Sequence, residues 1–161
     1  MLRSSMEIQL VRASIPDAEE IWGMQVAAFQ ELLERYRDYE TSPGSEPVER
    51  VRARLEQPQT FYYYIMSAEQ KVGAIRVVDF KNDSTSKRIS PIFIMPEFRN
   101  RGYAQKAIAD AEALHGDRNW ELDTILQEPG NCHLYEKMGY RKTGKTKQVN
   151  ERMTLVFYVK E

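Results

Sequence analysis

The stretch MPEFRNRGYAQKA, Met95 to Ala107, places Arg99, Arg101 and Gly102 within four residues, directly ahead of a helical pattern. Cations are unfavourable at the positive end of a helix dipole unless an anion accompanies them. The first helical N–H groups have no backbone partner, so a strand entering a helix through a glycine is a recurring anion site. Gly102 lets the backbone approach a bulky anion, and the small Ala104 does the same one turn later. Arg99 and Arg101 bring forked donors that match phosphate oxygens. A capped helix with solvated arginines fits the same residues. A P-loop does not, because no G-K-[ST] follows, and the dinucleotide fingerprint G-x-G-x-x-G is absent.

Elsewhere the candidate chemistry is sparse. Cys132 is the chain's one cysteine, so an internal disulfide and a four-cysteine zinc site are excluded. No metal site is expected, and a reducing, cytoplasmic compartment is. His133 stands beside it, yet no Ser/His/Asp set can be picked out by spacing. The formal net charge is −1 over 161 residues, which argues against a nucleic-acid binder or a polybasic membrane binder. No run reaches the roughly 18 apolar residues of a membrane span. The opening MLRSSMEIQLVRAS lacks the apolar core of a signal peptide, and Met6 could serve as a start.

The elements that must position these residues follow from periodicity. EIQLVRA reads as an opening strand. Ser14 and Asp17 have capping-box spacing, and Ile21, Gln25, Phe29, Leu32, Leu33 and Tyr36 recur at helical period in one long helix. ETSPGSEP is a loop. Ser45 is the expected cap of a second helix marked by Val48, Val51 and Leu55 and closed at Gln57–Pro58. Three aromatic and β-branched runs near 60–67, 71–80 and 87–95 imply an antiparallel meander. The helix after Gly102 ends near Gly116. WELDTILQ is a strand, NCHLYEKMGY a short helix ended by Gly139, and the last two runs a closing hairpin. The expected fold is α+β, an α/β sandwich in the order βααβββαβαββ. Its mixed, mostly antiparallel sheet has helices on both faces, and residues 1–161 form one domain. The crossover into WELDTIL makes one parallel pair.

At this point the sequence resembles the GCN5-related N-acetyltransferase (GNAT) superfamily. PIFIMPEFRNRGYAQKAI is similar to its motif A, R/Q-x-x-G-x-G/A, read from Arg99 to Ala104 with Pro96 ahead of it. HLYEKMGYRKTG is similar to motif B. The resemblance implies an enzyme moving acetyl from acetyl-CoA directly to a primary amine. The cofactor would lie in a wedge where ISPIFIM and WELDTIL splay apart. Main-chain groups of the Phe93, Ile94 and Met95 segment would bond the pantetheine amides. The backbone of Arg99, Asn100, Arg101, Gly102, Tyr103 and Ala104 would hold the pyrophosphate. Tyr135 aligns with the family's general acid, which protonates the leaving thiolate; a phenol of pKa about 10 carries its proton at neutral pH. Asn131 either contacts the cofactor or caps the short helix; the family's asparagine falls seven residues before the tyrosine, where this chain has Glu128. Direct transfer needs neither Cys132 nor His133. Asp79, Glu121, Asp123, Glu128 or water could take the amine's proton, Asp79 being the most suggestive. The family places acceptor choice in the first two helices, their loop and the final hairpin. Here that means Phe29, Tyr36, Asp38, Tyr39, Glu40 and Thr41, a set suited to a cationic amine. The alternatives are a non-catalytic acyl-CoA sensor and a binding domain using the basic stretch. The expected partners are acetyl-CoA and an amine, without nucleic acid or membrane. A homodimer through the terminal hairpin is compatible with the pattern.

Overall fold

The computed structural model describes residues 7–161; Met6 lies outside them. Its strands are β1 (Gln9–Arg12), β2 (Thr60–Ser67), β3 (Gln70–Val78), β4 (Lys87–Ile94), β5 (Trp120–Ile125), β6 (Arg141–Gln148) and β7 (Thr154–Lys160). The helices are α1 (Ala18–Ala28), α2 (Gln30–Tyr36), α3 (Val48–Leu55), α4 (Tyr103–His115) and α5 (Pro129–Lys137). The strands form one sheet in the order β1-β2-β3-β4-β5-β7-β6, antiparallel except for β4 and β5. The expected mixed α+β sandwich is therefore present, with a third early helix.

Each face carries its own apolar layer. Ile65, Ile75 and Trp120 pack with Ile108 and Ala111 of α4 and Tyr135 of α5. On the other face Tyr62, Tyr64, Ala74 and Phe93 meet Ile21 and Ala28 of α1 and Val51 of α3. Burying an aliphatic side chain such as Ile21 or Ile108 contributes about 1.5–3 kcal/mol, so these stripes hold the helices on the sheet.

The helix expected to run unbroken to Tyr36 is two helices. It breaks at Phe29, whose φ of −97° and ψ of 6° leave the helical region. The Ala28 carbonyl accepts instead from Arg99 Nη2 at 2.7 Å. The break turns the Phe29 ring edge-on to Phe93, with centroids 5.8 Å apart. Nor does Ser45 cap α3. That position is Pro47, and the Ser45 hydroxyl donates to the Tyr39 carbonyl at 2.9 Å, inside the loop.

The parallel pairing is short. Lys87 pairs with Trp120 and Arg88 with Glu121, and there it stops. Three features turn β4 away. Pro91 has no N–H to give either neighbouring strand. The β3–β4 register slips between Ile75 and Val77, which sets an extra residue into β4. Arg76 Nη1 then donates to the Ser90 carbonyl at 2.7 Å, filling the bulge. Further along, β3 and β4 approach so closely at Gly73 that a Cβ there would lie 2.1 Å from the Phe93 carbonyl oxygen.

Candidate active site

Beyond Arg88 the β4 edge facing β5 has no strand partner, and two cavities open along it. One, of about 520 Å³, is walled by Ile92, Phe93 and Ile94 of β4, by the loop and first turn from Phe98 to Gln105 without Arg101, by Arg35 of α2, and by Glu128, Asn131 and Tyr135. The other, of about 480 Å³, lies under Phe29, Leu32, Tyr36, Asp38 and the loop from Glu40 to Pro43. Its floor is Asp123, Thr124 and Ile125 of β5, and Lys147, Val149 and Met153 close it from the hairpin. Phe29, Leu32, Ile92, Asn131 and Tyr135 belong to both walls, so the cavities abut at the wedge.

The first cavity ends on the α4 N-terminus. Gly102 has φ 79° and is the N-cap; Asn100 has φ 64°. Such positive φ values suit Gly and Asn and fit a β-branched residue badly. The Lys106 N–H is bonded to the Gly102 carbonyl, and the Ala104 and Gln105 amides just ahead of it belong to the first turn, where helical N–H groups have no backbone acceptor. Phe93, Ile94, Arg99, Asn100, Gly102, Tyr103, Ala104 and Asn131 all line this cavity. Met95 and Arg101 do not. Arg101 lies over the Phe98 ring, 5.8 Å from its centroid.

Two details of the sequence reading change. The Arg99 guanidinium does not reach outward as anion support. Its Nε donates to the Ile94 carbonyl at 3.1 Å and its Nη2 to Ala28, so it ties the loop to α1. The main-chain groups of Phe93 and Met95 also point away from the wedge. The Phe93 carbonyl faces Gly73, and the Met95 N–H donates to the Val72 carbonyl at 2.8 Å. Successive residues of a strand alternate their hydrogen-bonding sides, so Ile92 and Ile94 face the wedge.

Tyr135 is buried, packed between Tyr140 and Tyr158 with centroids 6.1 Å away. Its hydroxyl makes no hydrogen bond among the described residues, which leaves it free for a ligand. Burial, then the nearby charge of Asp123, pushes its pKa well above the ordinary tyrosine value. It therefore carries its proton at neutral pH. Asn131 lies inside α5, whose N-cap position is Glu128; the Asn131 side chain is no cap.

The carboxylates separate clearly. Asp79 is not brought to the wedge. It stands at the opposite end of β4, beside the paired segment, where its Oδ2 meets His115 Nδ1 at 2.8 Å. Burial works to raise its pKa, and the bonds from His115 and Lys81 outweigh that and hold it low. Glu121 and Asp123 both pair with Arg88, at 3.2 and 2.9 Å. Asp38 accepts from the Thr41 amide at 3.0 Å and from the Thr41 hydroxyl, shaping its loop. Glu128 accepts from Arg35 Nη1 at 2.7 Å and from the Tyr36 hydroxyl. Of the expected acceptor residues, Phe29, Tyr36, Asp38, Glu40 and Thr41 line the second cavity. Tyr39 points to solvent at 65% exposure. Leu32 and the individual hairpin residues Lys147, Val149 and Met153 were not named from sequence, although the hairpin as a region was expected; Leu32 shares the helical face of Phe29 and Tyr36, which is the signal that could have found it. Among the described residues, no cluster of His, Cys, Asp and Glu could hold a metal, and no helix is long and apolar enough to cross a membrane.

Comparison with known proteins adds the following. Residues 32–161 match the acetyltransferase (GNAT) domain family. No curated protein sequence matches the chain. Similar solved structures include the spermidine N-acetyltransferase of Vibrio cholerae in complex with CoA and spermine, at 18% identity, 95% coverage of both chains and a TM-score of 0.72. The microcin C7 self-immunity acetyltransferase in complex with acetyl-CoA and AMP is 14% identical, with 94% of this chain and 91% of that one covered and a TM-score of 0.70. A GNAT-family acetyltransferase from Streptococcus pneumoniae is 14% identical, with 94% and 98% covered and a TM-score of 0.68.

Proposed function

The chain belongs to the GNAT acetyltransferase family, and from that premise we propose that it transfers acetyl from acetyl-CoA directly to a primary amine on a cationic acceptor. The observation that carries this reading is the pair of cavities abutting at Tyr135 across the β4–β5 wedge. Two substrates can enter from opposite sides and meet at one hydroxyl.

The residues present fit the cofactor. The Ala104 and Gln105 amides in the first turn of α4 suit a pyrophosphate, and the Ile92 main chain and the Ile94 N–H, which face the gap beyond the last β4–β5 pair, suit the amides of the pantetheine arm. Gly102 and Asn100 hold the loop in the shape that presents those amides. Bound acetyl-CoA supplies the thioester that the amine attacks. Tyr135 gives its proton to the departing sulfur and recovers one from the nitrogen, so the phenol ends as it began. Asn131, beside it on α5, orients the groups that meet there.

The second cavity supports a cationic acceptor. Asp38 and Glu40 add negative charge to the aromatic walls of Phe29 and Tyr36, against the cation Lys147, while Asp123 shares its charge with Arg88. A polyamine such as spermidine is thus the first acceptor to try. The test is mass-resolved acetylation of a panel of polyamines, amino acids, aminoglycosides, peptide N-termini and lysine peptides, alongside calorimetry with acetyl-CoA. Acetylated product on a cationic amine is expected. Binding of acetyl-CoA with no turnover on any member would defeat the enzyme and leave an acyl-CoA sensor.

A further inference from the structure

We infer that Glu128, acting through the Tyr36 hydroxyl, takes the proton that the acceptor ammonium must lose before it attacks, an inference that rests on the acetyltransferase reading above. Tyr36 is 5% exposed and lines the acceptor cavity, while Glu128 lines the cofactor cavity. The hydrogen bond from Tyr36 Oη to Glu128 Oε2 therefore crosses the partition between them, where amine and thioester must meet. Three other acids near the wedge are engaged elsewhere: Glu121 and Asp123 with Arg88, Asp38 with Thr41. Glu128 is bonded to a hydroxyl that can itself accept a proton as it gives one up.

Three further features suit that role. Arg35 Nη1 holds Oε2 at 2.7 Å and orients the carboxylate. Glu128 occupies the N-cap position of α5, where the helix dipole favours negative charge. Its side chain keeps 22% exposure, a route for the proton to leave. Burial and the Glu128 charge push the Tyr36 pKa up, so the phenol stays neutral between transfers. The other titratable and charged groups around Glu128 are Glu31 and Arg35 of α2, Arg99 and Tyr103 across the cavity, and Tyr135 on α5.

The step balances. One ammonium N–H proton passes to Tyr36 Oη as the Tyr36 proton passes to Glu128 Oε2. The products are a neutral amine, a neutral Tyr36 and a protonated Glu128, which discharges to water. Tyr135 handles the second proton, from nitrogen to sulfur. Glu128 is thus a positioning and proton-accepting residue that reaches the substrate through Tyr36.

The experiment measures kcat and KM of wild type, Glu128→Gln, Glu128→Asp and Tyr36→Phe from pH ~6 to ~9, using spermidine or the fastest amine of the panel, with acetyl-CoA affinity by calorimetry. Glu128→Gln and Tyr36→Phe should each lose about 10²-fold or more in kcat/KM at neutral pH, mainly in kcat, with acetyl-CoA affinity retained. The deficit should shrink as pH rises, because more of the amine then arrives already deprotonated, and Glu128→Asp should recover part of the activity. A deficit that is constant across pH, or full activity in Glu128→Gln, overturns the relay while leaving the acetyltransferase standing. A wild type that binds acetyl-CoA and acetylates nothing overturns both.

Discussion

Replacing Arg99 by alanine tests which part of the FRNRG loop holds and which part binds. The guanidinium donates to Ile94 at 3.1 Å and to Ala28 at 2.7 Å. Hydrogen bonds from a charged donor contribute about 1.5–3 kcal/mol each. The Arg99 side chain is 35% exposed, so water replaces part of each bond, and the loss should total about 2 kcal/mol. In a chain of this length that lowers Tm by about 4–8 °C. Among the described residues, Arg101 has the Phe98 ring beneath it at 5.8 Å and no ion pair. An exposed contact of that kind contributes about 0.5–1 kcal/mol, so Arg101→Ala should lower Tm by at most about 4 °C. The assay is thermal unfolding followed by circular dichroism, with Arg99→Lys included because lysine restores the charge but not the fork. If Arg99→Ala melts like wild type while Arg101→Ala is the less stable, the bracing argument is wrong.

Three other expectations follow from the same geometry. Gly102→Val forces a β-branched residue into φ 79°, at a cost of about 1–2 kcal/mol, and should weaken acetyl-CoA binding about tenfold by calorimetry; unchanged affinity would show that the loop shape is not needed. Tyr135→Phe keeps the packing and removes the proton, so kcat should fall about 10²–10⁴-fold with acetyl-CoA affinity intact, read by steady-state kinetics and calorimetry; equal turnover would remove Tyr135 from the mechanism. The third concerns pH. Burial holds the His115 pKa below 6.5 against the pull of Asp79, and the ring also bonds the Tyr63 hydroxyl at 2.8 Å. The unfolded chain then binds the extra proton first, so the stability from neutral His115 is complete above about pH 6.5 and is lost as pH falls below it. Melting curves should show Tm declining over that range, with a shallower slope in His115→Gln.

Much of the site was readable because it is local. Gly102 declares its need for positive φ by being glycine at a helix start, and Asn100 is a residue that tolerates the same region. Tyr135 and Asn131 share a short segment whose neighbours mark its helix. Arg99 was harder. Its type and place suggested an outward anion contact, but the break at Phe29 leaves the Ala28 carbonyl without a helical partner, and Arg99 satisfies it from 71 residues away. Asp79 misled for a related reason. A strand-end carboxylate looks alike at either end of β4, and only the register that sets Val78 beside Arg88 shows which end it occupies.

The sequence by itself determined the order of elements apart from the break at Phe29, the two apolar faces, the glycine-started helix and the tyrosine of the short helix. All of these rest on interactions within a few residues or on the period of a single element. The tertiary structure alone decided where β4 and β5 part, which main-chain groups face the gap, and that Tyr36 and Glu128 meet across it. Those depend on a bulge, a register and a helix break, each set by contacts between segments far apart in the chain, and no local pattern encodes them.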